Sequence, residues 1–161
     1  MIDDDLLALA QALGRAALKR KARIATAESC TGGWIAAAIT AIAGSSDWFE
    51  CGFVTYSNAA KLRDLGVPAA LLERFGAVSP ETAGAMAEGA RKVSGSGWSA
   101  AVTGIAGPTG GSPGKPVGTV CFAWAGPAGL DTVRTVIPGD RGEIRRESVR
   151  IALQGLIDRL A

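Results

Sequence analysis

Histidine is absent from the sequence. That removes the Ser-His-Asp triad, the Cys-His dyad and nearly all catalytic zinc sites at once. Acid–base chemistry is left to lysine, glutamate, aspartate, cysteine or tyrosine, and tyrosine occurs only once, as Tyr56. Cysteine is scarce too. Cys30, Cys51 and Cys121 are odd in number and widely spaced, with no CxxC pair, which excludes a disulfide framework and a zinc knuckle. Long apolar runs are missing. The longest, WIAAAITAIA at 34–43, falls well short of the roughly 20 residues a membrane-spanning helix needs. The opening MIDDDLL is acidic where a secretory signal is basic. Net charge is only +2, too small to argue for nucleic acid or an anionic membrane as partner. A soluble, cytoplasmic protein is expected, and 161 residues suit one domain, 1–161, with a real core.

Glycine is what the sequence has in excess. It supplies 22 residues, about twice the usual share of ~7%, so tight turns and close backbone approach are expected. Hydrophobic periodicity predicts helices at 5–20, 31–42, 58–66, 68–76, 79–93 and 140–160. Asp5, Asn58, Ser79 and Asp140 are their expected caps, with Pro80 at the first helical position after Ser79. Strands are expected at 23–27, 48–57, 98–107, 117–126 and 130–138, the last two as an antiparallel hairpin. Helices alternate with strands early and a hairpin comes late. The fold class is therefore α/β, a mixed sheet of about five strands covered by helices on both faces. Ligand sites in such sheets form where strands end and helices begin.

Chemistry concentrates at three such junctions. ATAESCTGG (25–33) places Ser29 and Cys30 on a strand-to-helix turn, where free N–H groups of a helix start could hold an oxyanion. Ser29 or Thr31 could instead simply cap the helix. Against that, no capping box is present, because Gly32 stands three residues after Ser29. Gly32 and Gly33 also allow close approach to the backbone, and Glu28 puts a charge where a buried strand ends. Cys30 is a rival nucleophile that would need an ionised thiol; the alternative is a small core residue. A base for Ser29 must be a lysine that is neutral in the resting protein. YSNAAK (56–61) offers Lys61 near a helix start, where the dipole disfavours a cation, with Tyr56 to relay a proton or orient the pair. The competing reading of Lys61 is a solvated surface lysine. TGIAGPTGGSPGKPVG (103–118) matches neither a P-loop nor GxGxxG. Its first part, from Thr103, leaves a buried strand and is expected to touch a ligand, while 111–116 is expected to form a mobile flap. GDRGEIRR (139–146) puts Arg141 in the first turn of the last helix, suited to a phosphate or to solvent.

Taken together, ATAESCTGG, YSNAAK, GAVSPETAGAMAEGAR, TGIAGPTGG, KPVGTV and GDRGEIRR resemble, in order and spacing, the CinA carboxy-terminal domain family. The resemblance runs from about residue 5 to 160 and is to the stand-alone form, without the molybdopterin-binding-like domain that precedes this unit in longer members. It implies a three-layer α/β/α domain. It also implies nicotinamide-nucleotide amidase activity, the hydrolysis of nicotinamide mononucleotide to nicotinic acid mononucleotide and ammonia. By the same resemblance Ser29 is the nucleophile, assisted by Tyr56 and Lys61. The turn from Glu28 through Cys30, Thr31, Gly32 and Gly33 then surrounds the reacting carbonyl. Thr103, Gly104, Ala106 and Gly107 are expected to line the nucleotide pocket, and Arg141 or Arg145 to hold its phosphate. No metal or cofactor is required. A homodimer or larger homo-oligomer is expected. A nucleotide-binding sensor without turnover, or an amidase for another small amide, fits the same residues.

Overall fold

The computed structural model describes residues 2–161. Among them are six α-helices and five strands: α1 (Asp4–Arg20), β1 (Ile24–Glu28), α2 (Trp34–Thr40), β2 (Phe49–Val54), α3 (Asn58–Leu65), α4 (Ala69–Phe75), α5 (Pro80–Ser94), β3 (Trp98–Gly104), β4 (Thr119–Gly126), β5 (Gly129–Val136) and α6 (Arg141–Leu160). The strands form one sheet in the order β2-β1-β3-β4-β5. β1 runs parallel to both neighbours, while β3–β4 and β4–β5 are antiparallel. This is the expected mixed sheet in a three-layer α/β/α sandwich. No described helix is long and apolar enough to cross a membrane.

Side-chain alternation along the strands decides what packs on each face. On β4, Val120, Phe122 and Trp124 point to one layer and Cys121, Ala123 and Ala125 to the other. The first face takes the large residues of α1, α2 and α6, among them Leu6, Leu13, Ile35, Leu153 and Leu156. The second face is nearly all alanine: Ala25 and Ala27 of β1, Ala101 of β3, and the two of β4. Such a shallow surface lets α5 lie close to the sheet through Ala83, Met86, Ala87 and Ala90. Each apolar side chain buried this way contributes about 1.5–3 kcal/mol before the entropy of ordering is set against it.

Several ends differ from expectation, each for a local reason. Helix α1 is capped by Asp3, not Asp5, and α3 by Ser57, not Asn58. Ser79 and Asp140 cap α5 and α6 as expected, and Asp140 forms a reciprocal capping box with Glu143. α2 begins three residues later than periodicity predicts, at Trp34, because Gly32 and Gly33 have φ of +61° and +96°. L side chains avoid that left-handed region, which only a glycine pair enters cheaply. Two hydrogen bonds join the second half of the 111–116 segment to the rest of the domain. Lys115 Nζ donates to the Phe75 carbonyl at 2.7 Å and the Arg134 guanidinium donates to the Gly114 carbonyl at 2.5 Å.

Candidate active site

The C-terminal ends of the three parallel strands build the site. Ladder pairing continues one residue beyond β1: Ser29 N–H donates to the Val102 carbonyl at 3.0 Å, and Thr55 N–H to the Glu28 carbonyl at 2.9 Å. Ser29 and Thr55 are thereby fixed side by side at the sheet's end. The chain then turns at Ser57, whose Oγ accepts the Ala60 N–H at 3.0 Å and starts α3. One turn into that helix Lys61 reaches back over the sheet. Its Nζ lies 3.0 Å from Ser29 Oγ, 2.9 Å from the Thr55 carbonyl and 3.1 Å from the Tyr56 carbonyl.

Lys61 is 1% exposed and so is not a solvated lysine. It makes no ion pair among the described residues. Burial pulls its pKa below the ordinary lysine value, since the charged form loses most by leaving water. The cause is this desolvation more than the helix-start dipole that the sequence pointed to. The geometry fits an uncharged amine. Two N–H groups go to two carbonyls that can only accept, which leaves the nitrogen lone pair for the Ser29 hydroxyl.

Glu28 is fully buried and does not face the cavity. Its Oε1 accepts from Thr31 Oγ1 at 2.6 Å and from Ile35 N–H at 2.8 Å; its Oε2 accepts from Ala36 N–H at 3.0 Å. The carboxylate of a β-strand thus caps α2, a task the sequence offered to Ser29 or Thr31. Burial raises the Glu28 pKa, with these hydrogen bonds opposing the rise. Cys30 is pushed up to about 12 by burial, so its thiol stays protonated at neutral pH.

Ser29, Cys30, Tyr56, Lys61, Thr103, Gly104, Ala106, Gly107 and Arg141 meet around one cavity of about 270 Å³. Ile105, within the loop expected to touch a ligand, completes its wall with Ala77, Val78, Thr109 and Gly110, which went unnoticed in the sequence. Their signal is indirect: Thr103 Oγ1 donates to the Ala77 carbonyl at 2.8 Å, which draws the α4–α5 connection over the site. The wall carries Arg141 as a cationic side chain, the Lys61 amine, and no carboxylate. Arg141 donates to the Gly107 carbonyl at 2.8 Å and to the Tyr56 hydroxyl at 3.3 Å. The Tyr56 side chain is 62% exposed, and it is its carbonyl, not its phenol, that meets Lys61. Thr31, Gly32, Gly33 and Arg145 stand behind this wall. Arg145 donates to the carbonyls of Cys30 at 3.0 Å and Thr31 at 3.1 Å and does not line this cavity. A larger groove of about 700 Å³ lies between α3 and α5, but it brings together no hydroxyl or thiol with a base. No three Cys, Asp or Glu side chains converge as metal ligands would among the described residues.

The α/β/α sandwich thus brings a hydroxyl and a buried, unpaired amine into contact at its strand ends, a pairing that can serve nucleophilic catalysis without histidine. Comparison with known proteins gives the family. The sequence profile of the CinA C-terminal domain matches residues 6–160, and the chain belongs to that family. It is 51% identical over 154 residues to the nicotinamide-nucleotide amidohydrolase PncC of Pseudomonas putida, covering 96% of each chain. It is 50% identical over 157 residues to the protein of the same name from Escherichia coli K12, covering 97% of this chain and 95% of the other. The crystal structure of the competence/damage inducible protein CihA from Agrobacterium tumefaciens superposes with a TM-score of 0.95 at 45% identity, over 98% of this chain and 97% of that one.

Proposed function

We propose that this protein is a nicotinamide-nucleotide amidohydrolase that converts nicotinamide mononucleotide to nicotinic acid mononucleotide and ammonia through a Ser29–Lys61 pair. Two proteins of that name are about half identical over nearly their whole length. The observation that carries the mechanism is the 3.0 Å contact between Lys61 Nζ and Ser29 Oγ, at a lysine whose charge burial disfavours.

In the first step Ser29 Oγ attacks the carboxamide carbon while its proton passes directly to Lys61 Nζ. The phenol of Tyr56 is not needed as a relay, because nitrogen and oxygen already touch. Negative charge gathers on the former carbonyl oxygen. The Cys30 N–H, which belongs to the cavity wall and has no acceptor within the described protein, is assigned to hold it. One such donor contributes about 3 kcal/mol. Lys61, now an ammonium supported by two carbonyls, returns the proton to the amide nitrogen. The C–N bond breaks and ammonia leaves. Water then attacks the ester, Lys61 takes its proton, and the carboxylate product departs as Ser29 recovers its hydrogen.

Arg141, at the cavity mouth, is assigned the phosphate; its charge meets no carboxylate among the described residues. On this reading the protein is a one-domain cytoplasmic enzyme that needs no metal or cofactor and binds neither nucleic acid nor membrane. A homodimer or larger homo-oligomer goes with it. Leu130 and Val136, exposed on the same face of the edge strand β5, support an apolar surface for a second copy.

The test is ammonia release from nicotinamide mononucleotide by wild type and Ser29→Ala in parallel. Release by wild type alone is the expected result. Equal release by both would remove Ser29 from the mechanism. Binding of the nucleotide without release by either would leave a sensor instead of an enzyme.

A further inference from the structure

We propose that Arg145 is a positioning residue for catalysis, one that holds the peptide groups of the Ser29–Gly33 turn with their N–H donors turned toward the reacting oxygen. The inference rests on the serine–lysine reading above and adds a residue to it.

The turn needs an outside hold. Gly32 and Gly33 both have positive φ, and glycine there is free to move through much of backbone space. The carboxylate that caps α2, from Glu28, accepts from the Thr31 hydroxyl and the Ile35 and Ala36 N–H groups but from no N–H of Cys30 or Thr31. The Cys30 and Thr31 N–H groups have no partner within the described residues. Within the turn and the start of α2 the Cys30 carbonyl meets no donor, and a rotated Cys30–Thr31 peptide would put a carbonyl oxygen toward the oxyanion.

Four hydrogen bonds oppose it, one of them from Trp34 N–H to the Thr31 carbonyl at 3.2 Å. Within the turn, Gly32 N–H donates to the Ser29 carbonyl at 3.0 Å. From outside, Arg145 Nε donates to the Cys30 carbonyl at 3.0 Å and its terminal nitrogen to the Thr31 carbonyl at 3.1 Å. A trans peptide is planar, and its C=O and N–H point in opposite directions. Fixing the Ser29 carbonyl therefore fixes the Cys30 N–H on the opposite side. Holding the Thr31 carbonyl on Arg145 likewise orients the Gly32 N–H, the group that grips the Ser29 carbonyl and so sets the Cys30 N–H. Arg145 lies outside the cavity wall that Ser29 and Cys30 form.

The guanidinium is itself well anchored. It lies over the Trp34 ring, 5.4 Å from the ring centre, on the long helix α6. It makes no ion pair among the described residues, so its charge is directed to the two carbonyls. A cation on the oxygen end of a peptide polarises that peptide and strengthens its N–H as a donor. A planar fork holds the two carbonyls in one fixed geometry, whereas a flexible ammonium sets no such plane.

The experiment measures ammonia release from nicotinamide mononucleotide by wild type, Ser29→Ala, Arg145→Gln and Arg145→Lys, with thermal unfolding of each. The expected result for Arg145→Gln is a kcat lower by roughly 10- to 100-fold with KM nearly unchanged, because an interaction made in the transition state has been weakened. Arg145→Lys is expected to recover part of kcat by serving one carbonyl. The pH at which activity rises should not move in either variant, since Lys61 is untouched. If Arg145→Gln does not fold, the lowered kcat and unchanged KM of Arg145→Lys decide the matter. A raised KM with unchanged kcat would overturn the proposal and return Arg145 to the substrate phosphate. Unchanged kcat and KM would overturn it outright. Ser29→Ala activity equal to wild type would instead sink the serine reading, and the proposal with it, whatever the Arg145 variants do.

Discussion

Lys61 Nζ sits 3.0 Å from Ser29 Oγ although 32 residues separate them in the chain, and two backbone carbonyls hold it there. The amine must be neutral to take a proton, so side chains that stay charged should fail. Lys61→Arg is expected to lower kcat by at least about 100-fold, because arginine keeps its proton at any working pH. Steady-state ammonia release measures this. Activity near wild type in Lys61→Arg would show that no base is needed at this position.

Activity should rise with pH through the lowered pKa of Lys61, over a range that lies below the ordinary lysine value of ~10.4. Stability should carry the same signature. With its pKa depressed on folding, Lys61 binds a proton more readily in the unfolded chain. Between its folded and unfolded pKa values the unfolded state therefore holds more protons, and stability rises with pH there. Below that range the full cost of the buried charge is felt. Lys61→Met removes this proton linkage. The stability of wild type minus that of Lys61→Met should climb as pH is raised from 6 toward about 10, in urea denaturation at each pH. A flat difference would mean that Lys61 keeps an ordinary pKa.

Cys30 is adjacent to the nucleophile and lines the same cavity, yet its thiol is held up to about 12. At pH 8 almost none of it is thiolate, so it is a poor nucleophile and a poor target for alkylation. Cys30→Ala should retain most of the activity, because the N–H that matters belongs to the backbone. Iodoacetamide at pH 8 should leave wild type largely active. Rapid loss of activity on alkylation of Cys30 would contradict the protonated thiol.

The sheet was legible because its strands are short apolar runs closed by glycine or polar turns, and the six helices because their apolar stripes repeat at helical spacing. What escaped was decided by contacts distant in sequence. YSNAAK identified Lys61, but its burial depends on α3 folding back over the end of β1, which no local pattern records. Arg141 and Arg145 looked equivalent on one face of α6. Four residues on a helix are about 6 Å along its axis, enough to put the first at the cavity rim and the second behind the Ser29 turn. Caps went astray where a neighbour was equally suitable: Asp3 beside Asp5, Ser57 beside Asn58. The least legible feature was the start of α2. Local rules seek a cap within the turn, whereas the acceptor comes from Glu28, seven and eight residues before the donors it serves.

That cap leads to a prediction that separates stability from chemistry. Both oxygens of Glu28 accept: Oε1 from Thr31 Oγ1 and Ile35 N–H, Oε2 from Ala36 N–H. A glutamine of the same shape has one oxygen and one NH₂ group. In either orientation of the amide a donor faces a backbone donor, and one buried N–H loses its acceptor. Leaving such a group unpaired costs about 1–3 kcal/mol. Gln also removes a buried acid whose pKa is raised, so part of the cost is returned at pH values where wild type must carry the charge. Glu28→Gln is therefore expected to lower the unfolding free energy by about 1–2 kcal/mol near neutral pH, with the deficit larger at lower pH. Because Glu28 precedes Ser29 and does not face the cavity, KM should hardly change, while kcat should fall as the α2 start loosens around the nucleophile. Urea denaturation at two pH values, run beside steady-state kinetics, checks both halves. A variant as stable as wild type would mean that α2 does not depend on this carboxylate.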